Sequence, residues 1–131
     1  MRKLIERIKE RSAESKGGKE MGWYGVDLDG TIAEYNGWVG VDHIGDPIPK
    51  MVDRVKKWLS EGKDVRIMTA RIPPQPEGRT ATTRKTIELW CEKHIGQVLP
   101  ITHSKDYGMI ELWDDRAIQV IANTGERADG K

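Results

Sequence analysis

The sequence predicts an α/β protein, a mostly parallel five-stranded sheet covered by helices. Two observations predict it. Short apolar runs of strand length alternate with longer stretches of helical periodicity, the pattern of parallel strands joined by crossover helices. Four of those runs also stop in polar residues: Asp27 and Asp29, Thr69, residues 102–105, and Asp114 with Asp115. In a parallel sheet the strand ends meet along one edge, so residues far apart in the chain converge there.

The elements follow in order. Residues 1–15 place Leu4, Ile5 and Ile8 at helical spacing among Arg, Lys and Glu, a short amphipathic helix, and Gly17-Gly18 breaks it. The first strand carries Trp23, Tyr24, Val26 and Leu28. If 26–28 is extended, its period of two turns Asp27 and Asp29 the same way, and Gly30 then turns the chain. Residues 33–49, rich in Gly, Asp and Pro, read as a loop or small β-flap holding Tyr35 and Trp38. Pro49 opens a helix whose apolar positions are Met51, Val52, Val55, Trp58 and Leu59, and Gly62 closes it. A second strand spans 64–68. The three prolines of 72–78 exclude regular structure, and a helix with Ile87, Trp90 and Cys91 on its apolar side spans 79–94. Strands are expected at 98–101, an edge or strand end because of Pro100, at 109–113 and at 118–122. The chain divides into a helix and linker (1–20), one folded domain (21–123) and a loose polar tail (124–131).

Composition narrows the function classes. With 131 residues, 37% hydrophobic and 33% charged, this is one ordinary domain. A net charge of +1 gives no global attraction to nucleic acid or an acidic membrane, although residues 1–20 hold seven Lys/Arg against four Glu. Cys91 is the only cysteine, so no intramolecular disulfide forms, and its place among Leu89, Trp90 and Glu92 marks it as core filler. No apolar run reaches the ~18 residues of a membrane span, and there is no secretory h-region. A cytoplasmic protein without a membrane partner is expected. His43, His94 and His103 are not spaced as a zinc set.

The polar strand ends match phosphoryl transfer. Two neighbouring carboxylates repel unless a cation lies between them, and Mg²⁺, a hard ion with oxygen ligands, suits that place. Asp27 would be the nucleophile, forming an aspartyl-phosphate, and Mg²⁺ on Asp27 and Asp114 would neutralise the phosphate oxygens. Asp29 would protonate the leaving group and then activate water. Thr69 would donate to a phosphoryl oxygen, and Lys105 or Arg71 would offset its charge. Trp38, in the flap, either stacks on a base or sugar or tucks against its own domain.

Asp27-Leu28-Asp29-Gly30-Thr31 resembles the first motif of the haloacid dehalogenase superfamily of phosphatases. Thr69, Lys105 and Trp113-Asp114-Asp115-Arg116 resemble the second, third and fourth motifs, in the right order and over most of residues 22–122. The resemblance implies a three-layer Rossmann-like fold with strand order 5-4-1-2-3. It also implies Mg²⁺ on Asp27, the Asp29 carbonyl and Asp114, with Asp115 in support. The acid at position 29 favours phosphatase over dehalogenase chemistry. No segment is long enough for a cap domain, and capless members act on large substrates or borrow a lid from a neighbouring subunit, so a homo-oligomer is one expectation. Thr83-Arg84-Lys85 and the Asp-Asp-Arg ending are similar to the 3′-phosphatase part of polynucleotide kinase-phosphatases; no kinase P-loop is present. The function expected is therefore an Mg²⁺-dependent phosphomonoester hydrolase, on a phosphorylated small molecule, a nucleotide or a nucleic-acid 3′-phosphate end. The alternative is a non-catalytic metal- or phosphate-binding module with a regulatory or assembly role.

Overall fold

A computed structural model describes residues 22–73 and 80–131. The helix and linker expected over 1–20 and the centre of the proline-rich loop lie outside the described residues. The elements are β1 (Trp23–Asp27), α1 (Pro49–Ser60), β2 (Asp64–Met68), α2 (Thr80–His94), β3 (Ile101–Thr102) and β4 (Met109–Trp113).

Four strands form one sheet in the order β3-β2-β1-β4, and every neighbouring pair is parallel. The result is an α/β architecture compatible with a Rossmann-like fold. The register does the positioning. Asp27 sits opposite Met68, and Val26 opposite Trp113. Thr69 therefore leaves β2 on one side of the β1 end, and Asp114 leaves β4 on the other.

Helix α1 forms where the sequence places it. Pro49 lies in its first turn, where the missing N–H is no loss, and Met51, Val52 and Val55 are buried. It ends in a Schellman motif: Lys63 N–H donates to Trp58 O and Gly62 N–H to Leu59 O, each at 3.0 Å. Gly62 takes φ +80°, the left-handed conformation that the motif needs. Helix α2 buries Thr83, Ile87, Trp90 and Cys91, one stripe at i, i+4, i+7 and i+8. The buried residues of both helices share one core with Val26, Val65 and Ile67. Fully burying a side chain such as Val55 or Ile87 stabilises the fold by about 1.5–3 kcal/mol.

Three expectations need correction. The first strand stops at Asp27, and Leu28 already lies in a turn whose carbonyl accepts from the amides of Thr31, Ile32 and Ala33. The third strand is Ile101–Thr102 rather than 98–101, because Pro100 has no N–H to offer; its carbonyl still accepts from Ile67 N–H at 2.8 Å. The fifth strand is absent among the described residues. Within 118–122 only Val120 pairs, in an isolated antiparallel bridge to Arg127, which folds the 124–131 tail back on itself in exposed turns.

Both described helices pack on one face of the sheet. Successive crossovers of one hand that move the same way across a sheet put their helices on one face. The β3–β4 connection, residues 103–108, contains no helix to cover the other. There Trp23 is buried beneath Arg66, whose guanidinium lies 4.6 Å from the ring centroid, and its indole N–H donates to Asp106. No helix among the described residues is long and apolar enough to cross a membrane.

Candidate active site

At the carboxyl end of the sheet a cleft of about 550 Å³ is lined by Asp27, Asp29, Thr69, Arg71, Asp114 and Asp115, with Tyr35 and Trp38 from the flap. Of the residues singled out in the sequence, Lys105 alone is missing. It is exposed on the β3–β4 connection, and the lining cations are Arg71 and Arg116.

Asp27 ends the central strand and meets Asp114 and Asp115, one carboxylate oxygen from each lying within 4.8 Å of the others. Asp115, expected in support, lies within the acidic group itself. The crowding shows in the Asp27 carboxyl, which is pushed up to about 7. Burial is the main cause, followed by the charge of Asp114, a hydrogen bond shared with Asp115, and the charge of Asp115.

Thr31 ties the group together. Its hydroxyl oxygen accepts from Asp115 N–H at 3.0 Å and lies 3.3 Å from carboxylate oxygens of both Asp27 and Asp115, donating to one at a time. Asp114 Oδ1 accepts from Arg116 N–H at 2.8 Å, which sets the turn after β4. Gly30 makes the close approach of the two loops feasible. It adopts φ +92°, and a Cβ there would stand 2.5 Å from Asp115 Oδ2.

Asp29 is separate. Its side chain turns away from the Asp27 carboxylate because the strand ends between them, and the expected metal contact of Asp29 is through its carbonyl. Arg71 Nε and Nη2 donate to Asp29 Oδ2 and Oδ1, both at 2.8 Å, in a bidentate fork. The Asp29 side chain is therefore no member of the acidic group. Three features hold Arg71. Its side chain is only 6% exposed, its amide donates to Thr69 Oγ1 at 3.1 Å, and its guanidinium lies over Trp38, 4.9 Å from the ring centroid. Arg71 Nη1 is buried with no hydrogen-bond partner. Thr69, itself buried, keeps its own O–H available, since that oxygen accepts from Arg71.

The flap is anchored at its base and open at its tip. Glu34 N–H donates to Asp46 O and Ile48 N–H to Ile32 O, both at 2.8 Å, and the Trp90 indole N–H donates to Gly45 O at 3.0 Å. Beyond this anchor Tyr35 is 48% and Trp38 58% exposed. The rim of the cleft is thus supplied by the chain's own flap.

Sequence reasoning assigned no role to Thr31 and left Trp38 between two readings. Thr31 stood inside the motif, directly after Gly30, and that adjacency was the available signal. The Trp38–Arg71 contact had none, because it joins two loops that only the fold brings together.

No protein-family model and no curated protein matches the chain. Among solved structures, a conserved protein from Bacteroides thetaiotaomicron is similar over 73% of this chain and 77% of its own, with 23% identity and a TM-score of 0.49.

Proposed function

We propose that this chain is a capless phosphomonoester hydrolase of the haloacid dehalogenase type, dependent on Mg²⁺ and working through a phosphorylated Asp27. The observation that carries the reading is one cleft joining Asp27, Asp114 and Asp115 to Thr69 and Arg71. The strand order β3-β2-β1-β4, which is the expected 5-4-1-2-3 order without its fifth strand, supports it.

The acidic group fits a hard divalent cation. Its donors are all carboxylate oxygens, and the Asp27 carboxyl is raised chiefly by burial and then by the neighbouring charges of Asp114 and Asp115, both of which such an ion offsets. Asp27, Asp114 and Asp115 would hold Mg²⁺, which supplies charge neutralisation at the phosphoryl oxygens. The chain's own residues do the rest. A carboxylate oxygen of Asp27 attacks phosphorus as the bond to the leaving oxygen breaks. The Thr69 hydroxyl and the unpartnered Arg71 Nη1 donate to phosphoryl oxygens. Asp29 gives a proton to the leaving oxygen and later takes one from the water that hydrolyses the aspartyl-phosphate. Because both its oxygens accept from Arg71, that role requires the fork to open and the carboxylate to take up a proton from solvent first. The substrate class is a phosphorylated small molecule, a nucleotide or a nucleic-acid 3′-phosphate end.

Hydrolysis of p-nitrophenyl phosphate with and without Mg²⁺ tests this, with Asp27→Asn as control. Metal-dependent turnover that falls by about a thousandfold or more in the variant is expected, given how strongly nucleophile removal acts elsewhere. Turnover unchanged in Asp27→Asn refutes the mechanism. One observation favours the second reading, a non-catalytic metal- or phosphate-binding module: both oxygens of Asp29 are already taken by Arg71. Mg²⁺-dependent phosphate binding without turnover of any phosphomonoester or 3′-phosphorylated oligonucleotide would establish it.

A further inference from the structure

We infer that Trp38 is the specificity-determining residue of the cleft: the substrate's leaving group carries a planar base, joined to the phosphate through a sugar, and that base stacks on the solvent face of the Trp38 indole. The inference rests on the phosphate-handling reading of the cleft and adds the chemical class of what the phosphate is attached to. Trp38 lies in the flap tip, 58% exposed, yet it lines the same cleft as Asp27. One face of its ring is covered by the Arg71 guanidinium, 4.9 Å from the centroid. That contact holds the indole in place, so a ligand that stacks on it loses little freedom in the protein. A large, mostly exposed apolar ring with an internal cation on one face is half of a stacking site.

Asp29 accepts from Arg71 with both oxygens, and Arg71 in turn lies against Trp38. Arg71 thus lies between Asp29 and the indole. The ribose is the link that the inference places between a base on the indole and a phosphate at Asp27; in phosphotyrosine the ring adjoins the phosphate directly. Tyr35, also exposed and lining the cleft, gives the base a second wall. A mononucleotide and the terminal nucleotide of a nucleic acid share this chemistry.

The test is calorimetric binding to Asp27→Asn protein in Mg²⁺, where the nucleophile is absent and ligands stay intact. The ligands are a nucleoside 3′-monophosphate, a 3′-phosphorylated oligonucleotide, glycerol phosphate and a phosphotyrosine peptide. Both nucleotide ligands are expected to bind about five- to 150-fold more tightly than glycerol phosphate, the span one stacked base contributes. Adding Trp38→Ala should bring them to parity with glycerol phosphate, whose own affinity stays within about threefold because Asp29 and Thr69 still hold Arg71 at the phosphate. Trp38→Phe should restore most of the preference. The mononucleotide binding as well as the oligonucleotide assigns recognition to the base and sugar; the oligonucleotide alone binding tightly assigns it to the nucleic-acid end. Equal affinities for nucleotides and glycerol phosphate overturn the inference, as does tightest binding of the phosphotyrosine peptide. A Trp38→Ala loss shared equally by all ligands also overturns it, and reduces Trp38 to a brace for Arg71. Loss of turnover in the wild type with this binding pattern intact would instead overturn hydrolysis and leave the base site standing.

Discussion

The Asp29–Arg71 fork is the interaction on which both the chemistry and the flap depend, and its strength can be measured. Two charge-assisted bonds of 2.8 Å join side chains that are 21% and 6% exposed. Arg71→Ala strands a carboxylate that still reaches water over part of its surface, and about 2 kcal/mol of stability should be lost, below the 3–5 kcal/mol of a fully buried pair. Asp29→Asn strands a guanidinium that water hardly reaches, and already has one nitrogen unpartnered, so about 3 kcal/mol is expected. If the two groups act on each other, the double variant should lose about 3 kcal/mol rather than the sum, a coupling of about 2 kcal/mol. Urea titrations of the four proteins, with unchanged m-values, give these differences directly. Inorganic phosphate should raise the midpoint of Asp29→Asn more than that of the wild type, because an anion can take the donors that Asp29 has released. A coupling below about 0.5 kcal/mol, the level found for independent sites, would refute the fork as drawn.

Gly30→Ala should destabilise by about 2 kcal/mol or more and weaken Mg²⁺ binding, because φ +92° is left-handed and the new Cβ meets Asp115; calorimetry with and without the ion reads both effects. Asp27 binds its proton more tightly when folded, with its carboxyl at about 7 against an ordinary 3.8, so its contribution to stability is full below pH 4 and lost as the pH rises through 7. The melting temperature of the wild type minus that of Asp27→Asn should therefore fall as the pH rises from 4 to 7, an unchanged difference would refute it, and Mg²⁺ should flatten the wild-type fall by favouring the ionised form. Lys105→Ala should leave p-nitrophenyl phosphate turnover within about threefold, as for a surface residue, whereas Arg71→Ala should reduce it by about a hundredfold or more, as for loss of a charge-stabilising donor. Cys91, buried and with its thiol pushed up to about 11 chiefly by that burial, should resist thiol reagents at pH 8 until urea unfolds the chain.

Sequence by itself determined the local elements and their chemical content. Helix α1 and strands β2 and β4 begin and end where apolar spacing, Pro49 and Gly62 put them, because those signals act within a few residues. Chain order likewise placed Asp27, Thr69, Asp114 and Asp115 at strand ends, and a parallel sheet brings such ends to one edge. The strand at 118–122 was overread from apolar residues that lie in an exposed turn-rich tail. Which charged groups pair was decided by tertiary structure alone. Asp27 and Asp29, two residues apart and chemically alike, part company because β1 ends between them: one joins Asp114 and Asp115, the other goes to Arg71. Along the chain Lys105 is the first candidate for the phosphate-neutralising cation and Arg71 the alternative, yet only Arg71 lies in the cleft, against Trp38. Electrostatic partnerships depend on distances of a few ångströms between residues tens of positions apart, and a sequence carries no record of those distances until the sheet register sets them.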